Sequence, residues 1–240
     1  MTAYCVPACL VGPLRKVRAV AMRSLNPKVG YFLFDTTQRC LEPISTKYGF
    51  DRGQPIERYY IESFLKDNRE SIRGVCLEIH DNDYTRRFGG DRVTGSDVLD
   101  IDTRNRQASI FADLRNAKNV PSDTYDCLII TQTLGMIDDY HSAIKECHRV
   151  LKPAGTLLVT GSATGPVFAP GTVYWRMTVD SARYAFEKHF SRDNLVIQSY
   201  GNVLSGQCFW VGLASDELTP DELDYHDPNF PVIIAVKARK

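Results

Sequence analysis

Three acidic residues stand at intervals that a bound ligand could use. Glu78, Asp97 and Asp113 close three short apolar runs, the second 19 residues after the first and the third 16 residues after that. One carboxylate at each of three neighbouring strand ends can accept hydrogen bonds from ribose hydroxyls and from an amino group. A single such residue also serves as a helix cap at a strand–helix junction, so the set of three points to a ligand more than any one member does. A fourth run, residues 125–131, ends in Thr131-Gln132 with no carboxylate. A hard cation wants anionic oxygens at that edge, which speaks against a magnesium site, and no metal is expected. Just beyond, His141 follows Asp138 and Asp139. Imidazole is the side chain suited to taking a proton near neutral pH, and the carboxylates could orient it; the other reading is a polar residue on the solvated start of a helix. In the stretch 162–177, Tyr174, Trp175 and Arg176 offer an aromatic and cationic surface on which a sugar ring could stack, unless Trp175 fills core.

These residues need a scaffold that brings strand ends together. From residue 75 onward, apolar runs of strand length at 75–79, 92–97, 109–112, 125–131 and 156–161 alternate with helical segments, which predicts a parallel α/β sheet. Ala143, Ile144, Cys147 and Leu151 share one face of a helix that must stop before Pro153. Runs at 195–200 and 231–236 read as two further strands, with Thr219-Pro220-Asp221-Glu222 between them as a capping box. Upstream, Ile61, Phe64 and Leu65 fall at helical spacing. Residues 1–45 show no clean period apart from Leu14, Val17, Ala21 and Leu25 on one helical face, and are expected to be an N-terminal extension of a domain spanning 46–240.

Lys plus Arg and Asp plus Glu are 29 each, so the global charge gives no reason to expect nucleic acid as partner. Seven cysteines, with no C-x-x-C pair, read as reduced thiols and a cytoplasmic location. The first apolar stretch is too short to span a bilayer. A homodimer is left open. None of the 16 glycines stands two residues from another, which removes G-x-G-x-x-G, and Gly90 and Gly95 are followed by Ser96-Asp97 where a phosphate-binding loop needs lysine. Neither G-x-S-x-G nor H-E-x-x-H occurs.

Five pieces in order then resemble the class I methyltransferases that use S-adenosylmethionine (SAM): Cys76-Leu77-Glu78-Ile79, Ser96-Asp97-Val98-Leu99, Ala112-Asp113-Leu114, the run from Tyr125 to Gln132, and His148-Arg149-Val150-Leu151-Lys152-Pro153-Ala154-Gly155. The stretch Tyr48 to Leu65 is similar to the leader of a narrower group often found beside glycosyltransferases. The resemblance implies a Rossmann-like, seven-stranded α/β sheet, mostly parallel, with an antiparallel C-terminal edge. It implies SAM across strands one to four, with Glu78, Ile79, His80, Tyr84 and Leu114 at its site. Asp97 would hold the ribose, Val98 would pack on adenine, Asp113 would accept from its amine, and Thr131-Gln132 would line the route to the methyl group. His141 would then be the base for a hydroxyl acceptor, and Tyr174, Trp175 and Arg176 the acceptor wall. The chain departs from the family where His80-Asp81-Asn82-Asp83-Tyr84 replaces the glycines of the first motif. That departure keeps a second reading open, a catalytically silent binding or regulatory subunit. The Asn/Asp-Pro-Pro-Tyr pattern of enzymes that methylate nucleic-acid amines is absent. The expected activity is O-methylation of a small polar or glycosidic acceptor.

Overall fold

A computed structural model describes residues 41–167 and 171–240. The helical face at Leu14 to Leu25, Cys5, Cys9 and most of the expected extension lie outside the described residues. Seven strands form one sheet in the order β3-β2-β1-β4-β5-β7-β6. They are β1 (Gly74–Ile79), β2 (Val93–Asp100), β3 (Ile110–Phe111), β4 (Tyr125–Thr131), β5 (Leu151–Ser162), β6 (Leu195–Tyr200) and β7 (Ile233–Arg239). The first five are mutually parallel, while β7 runs antiparallel to both β5 and β6, giving the mixed edge that the resemblance implied.

The strands alternate their side chains between two cores. Leu128 and Ile130 of β4 face a cluster with Ala143, Ile144 and Cys147 of α2 (Tyr140–Val150) and Ala182, Ala185 and Phe186 of α3 (Val179–Phe186). Cys127 and Ile129 face the other way, against Ile61, Phe64 and Leu65 of α1 (Ile56–Asp67). A third cluster joins Ile56 and Tyr60 of α1 to Cys208 and Phe209 of α4 (Val203–Trp210) and Leu223 of α5 (Pro220–Asp224). The capping box at Thr219 is formed, with proline at the first helical turn.

Several strand boundaries differ from the sequence reading: β3 is shorter, at Ile110–Phe111, and β7 runs Ile233–Arg239 and not 231–236. β2 continues three residues past Asp97, because Val98 and Leu99 pair in register with Glu78 and Ile79. β5 begins at Leu151 and not at 156: Leu151 pairs with Tyr125 across an irregularity, and its ladder with β7 starts only at Thr156, so Pro153 removes no bond there. β1 is registered against β4 only from Cys76 to Glu78, whereas β5 and β7 are registered from Thr156 to Ser162.

Candidate functional site

The carboxyl ends of β1, β2, β4 and β5 lie on one edge, and the turn after β1 sets its shape. His80 continues from Ile79 with φ +75°, the left-handed backbone that a glycine would take without strain. Asp81 accepts from the Asp83 N–H, and the chain then turns back through a single wide helical turn, Thr85–Gly89. Glu78 holds this turn from beneath: it is 3% exposed and accepts the backbone N–H groups of Tyr84 (3.3 Å) and Thr85 (2.8 Å). Burial pushes its carboxyl up to about 7, against the pull of those N–H donors. Glu78 therefore shapes the cradle from inside, and its carboxylate is committed to backbone.

The sequence reading put a ribose acceptor at Asp97, and the structure moves the strand end away from it. Asp97 lies mid-strand, where its oxygens accept from Tyr125 Oη (3.0 Å) and Ser109 Oγ (2.9 Å). Its job is to satisfy a buried phenol that reaches across beneath β1. The carboxylate that does close β2 is Asp100, 8% exposed. Its Oδ2 contacts His80 Nδ1 (3.0 Å) and accepts from Asn105 Nδ2 (2.6 Å), and its Oδ1 accepts from the Asp102 N–H (2.9 Å). Burial pushes its carboxyl up, but these donors together hold it below the usual carboxylate range. Val98 shifts with the boundary: it is buried two residues before the strand end, while Ile101, just past Asp100, is exposed. Asp113 and Leu114 follow β3, with Leu114 buried. Asp113 is clamped by Arg115, which also pairs with Asp138.

At the end of β4, Gln132 takes φ +54° and its N–H donates to Thr160. Its side-chain oxygen accepts from Ser162 Oγ (2.8 Å), while its Nε2 is buried without a partner in the protein. Thr131 precedes it as the last residue of β4. An orphaned donor at this edge marks a place where a ligand acceptor is wanted.

The N-terminal turn of α1 reaches the turn after β1. Arg58 donates to Tyr84 Oη at 2.8 Å, and Glu57, buried beside it, lies 3.8 Å from Arg58 Nε. Neither Glu57 nor Asp100 was singled out as a first choice by the sequence. The segment Asp97-Val98-Leu99-Asp100-Ile101-Asp102 offers three acids, and only the ladder decides which closes the strand. Arg52 and Tyr60, which flank Arg58 in sequence, are taken by Glu217 and by the Leu223 carbonyl. Arg87 pairs with Glu62 on α1.

On the acceptor side, the N–H groups of Tyr174 and Trp175 both donate to the Gly135 carbonyl, and Trp175 Nε1 donates to the Ile137 carbonyl. This docks 174–176 on the loop that follows β4, where a Cβ on Gly135 would lie 2.9 Å from the Trp175 carbonyl oxygen. Tyr174 and Trp175 remain about half exposed. Arg176 donates to the Gly165 and Pro166 carbonyls.

The His141 ring turns toward α3. The residue sits in the first turn of α2, its ring stacked on Tyr140 at 4.4 Å and edge-on to Tyr184 at 6.2 Å, with Lys188 Nζ 3.4 Å from Nε2. Tyr140 and Tyr184 belong to α2 and α3 and Lys188 follows α3, while Asp139, expected to orient the ring, instead caps α2 through Ser142. His148 packs on Phe190 at 4.9 Å.

The site fits a nucleoside-bearing ligand with a charged tail: a buried strand-end carboxylate for hydroxyls, an orphaned amide at β4, and the Arg58 guanidinium near the turn after β1. Residues 81–159 match a family model described as a methyltransferase domain. No curated protein matches the chain. Among solved structures, it is similar to a SAM-dependent methyltransferase from Archaeoglobus fulgidus, with 14% identity over 88% of this chain and 99% of that one, TM-score 0.52. It is also similar to an S-adenosylmethionine-dependent methyltransferase from Mesorhizobium loti, with 16% identity over 77% of this chain and 98% of that one, TM-score 0.51. At such identities the likeness is one of fold.

Proposed function

We propose that this chain, a class I SAM-dependent methyltransferase, transfers the methyl group to a hydroxyl of a small polar or glycosidic acceptor. SAM, when bound, supplies an electrophilic methyl on a cationic sulfur. What the chain must do is hold the nucleoside end still, present the acceptor in line, and keep water out.

Asp100 is the residue we assign to the ribose, in place of Asp97, with Ile101 beside it for the adenine and Asp113 and Leu114 next along the edge. Arg58, anchored on Tyr84, is placed to meet the carboxylate of the methionine portion. Gln132, steadied by Ser162, offers its free Nε2 between the two ends. Thr131 and His80 complete the lining, and Glu78 and Ile79 carry it from below. The observation that carries the reading is the orphaned Gln132 amide on the same edge as the buried Asp100 carboxylate.

The hydroxyl acceptor is supported by the Tyr174-Trp175-Arg176 wall docked on the loop after β4, an aromatic and cationic surface that suits a sugar ring. The similarity of residues 48–65 to a group found beside glycosyltransferases points the same way. Buried free thiols at Cys76, Cys127, Cys147 and Cys208 support a cytoplasmic setting. No helix among the described residues is long and apolar enough to cross a membrane.

Calorimetry with S-adenosylhomocysteine, followed by mass spectrometry of a panel of glycosides incubated with methyl-labelled SAM, tests the reading. Binding together with label in a methyl ether is expected. Label on nitrogen would overturn the hydroxyl assignment, and absence of binding would return the chain to the silent-subunit reading.

A further inference from the structure

Glu57 is a buried carboxylate that the fold leaves without a hydrogen-bond donor. It is 2% exposed, and the cation it pairs with among the described residues, the Arg58 guanidinium, lies 3.8 Å away, beyond hydrogen-bond range. A charge so placed costs free energy unless something pairs with it. The favourable position in the first turn of α1 offsets only a small part of that cost.

The surroundings say what could pair with it. Ile61, four residues on and on the same helix face, packs against Cys127, Ile129 and Leu158. Glu57 is thus one turn nearer the carboxyl ends of the strands. Its neighbour Arg58 is fixed to Tyr84 beyond β1, and Arg176, whose charge acts on Glu57, is fixed to Gly165 and Pro166 beyond β5. In the sheet only β4 lies between β1 and β5. Glu57 therefore lies toward the carboxyl edge of β4 and β5, the edge that carries Thr131 and Gln132 and where the methyl group is expected.

We propose that Glu57 faces the methyl group in transit and takes the proton of the acceptor hydroxyl, the role that the sequence suggested for His141. The inference rests on the hydroxyl-acceptor reading above. As a lone pair of the acceptor oxygen forms the bond to the methyl carbon, the carbon–sulfur bond breaks and its electrons stay on sulfur. The hydroxyl proton passes to Glu57, which becomes a neutral carboxylic acid and later returns the proton to solvent. A methyl ether and S-adenosylhomocysteine remain, and charge balances, because the cationic sulfur and the anionic carboxylate both end neutral. Burial pushes the Glu57 carboxyl above its ordinary value, against the pull of Arg58 and Arg176, which is the direction a base working near neutral pH needs.

The test needs no acceptor. Sinefungin carries a protonatable amine where SAM carries its methyl, and S-adenosylhomocysteine carries neither, so their ratio of affinities reads an anion at that point. Calorimetry on the full chain is expected to show sinefungin bound about tenfold to a hundredfold more tightly, as for a charged hydrogen bond. Glu57→Gln should bring the ratio to about one and leave S-adenosylhomocysteine affinity unchanged, and Glu57→Asp should keep part of the preference. A wild-type ratio near one, or a preference that survives in Glu57→Gln, overturns the proposal. If Glu57→Gln shows no cooperative melting, Glu57→Asp decides, since an undiminished ratio there also overturns it. A wild-type chain that fails to bind S-adenosylhomocysteine at all defeats the cofactor site itself, and the proposal with it.

Discussion

His80 Nδ1 lies 3.0 Å from Asp100 Oδ2, so the side chain at the first glycine position of the motif rests on the carboxylate we assign to the ribose. Both oxygens of Asp100 already meet internal donors, and a ribose hydroxyl has to share or displace one of them. His80→Gly removes that competitor and accepts the φ of +75° without strain. Its affinity for S-adenosylhomocysteine should rise about tenfold, the worth of one hydrogen bond, by calorimetry. Weaker binding would make the imidazole a contact of the nucleoside.

Asp100 and Asp97 should separate cleanly. Asp100→Ala is expected to weaken S-adenosylhomocysteine by about 1–3 kcal/mol and Asp97→Ala to leave it nearly unchanged. Asp97→Ala should instead lower stability by about 1–3 kcal/mol in denaturant, because it strands the Tyr125 hydroxyl, on a residue 1% exposed. The opposite pattern would restore Asp97 as the ribose acceptor.

Glu78 gives the fold a pH dependence. Its carboxyl is held at about 7 against an ordinary 4.5, so the native state favours its protonated form. The stabilisation this represents is complete below about pH 4.5 and is lost as pH rises through about 7, by up to about 3 kcal/mol. Urea unfolding of the wild type should show stability falling across that window more than in Glu78→Gln. Parallel profiles for the two proteins would mean that Glu78 is ionised at no such cost.

His141→Ala should leave turnover within about twofold of wild type, since general-base assistance is worth 10²–10⁴ and this ring faces Tyr184 and Lys188. Steady-state kinetics on the acceptor found by the glycoside panel checks it. A hundredfold loss would return His141 to the chemistry.

The sequence marks those parts of the fold that repetition makes visible. The runs at 125–131 and 195–200 coincide with β4 and β6: β4 is buried on both faces and leaves a nearly continuous apolar signal, while β6, at the sheet edge, shows in the alternation of half-buried and exposed residues. The end of β2 is less legible, since polar residues in 92–97 and acids at 97, 100 and 102 obscure where pairing stops, and only the register with β1 locates it. Glu57 lies inside the stretch 48–65 that resembles a family leader, but the resemblance assigns it no role. It lies in a helix identified by Ile61, Phe64 and Leu65 and shares their face by spacing, but only the packing shows that a charged residue there is buried. For His141 the position after β4 is legible in the sequence, but the side-chain direction on α2, stacked on Tyr140 and edge-on to Tyr184, is not.

The short registration of β1 on β4, from Cys76 to Glu78, puts a seam in the middle of the sheet, directly beneath the proposed cleft. One side of it is built from residues 74–111, and the other from 125–239, where β5 and β7 hold each other along Thr156 to Ser162. Units divided in this way commonly open separately in native-state hydrogen exchange. Amides at the seam should exchange before those of β5 and β7. A ligand resting on Asp100 on one side and Gln132 on the other would act as a staple between two partly independent folding units, so its binding would be felt as slowed exchange well away from any atom it touches.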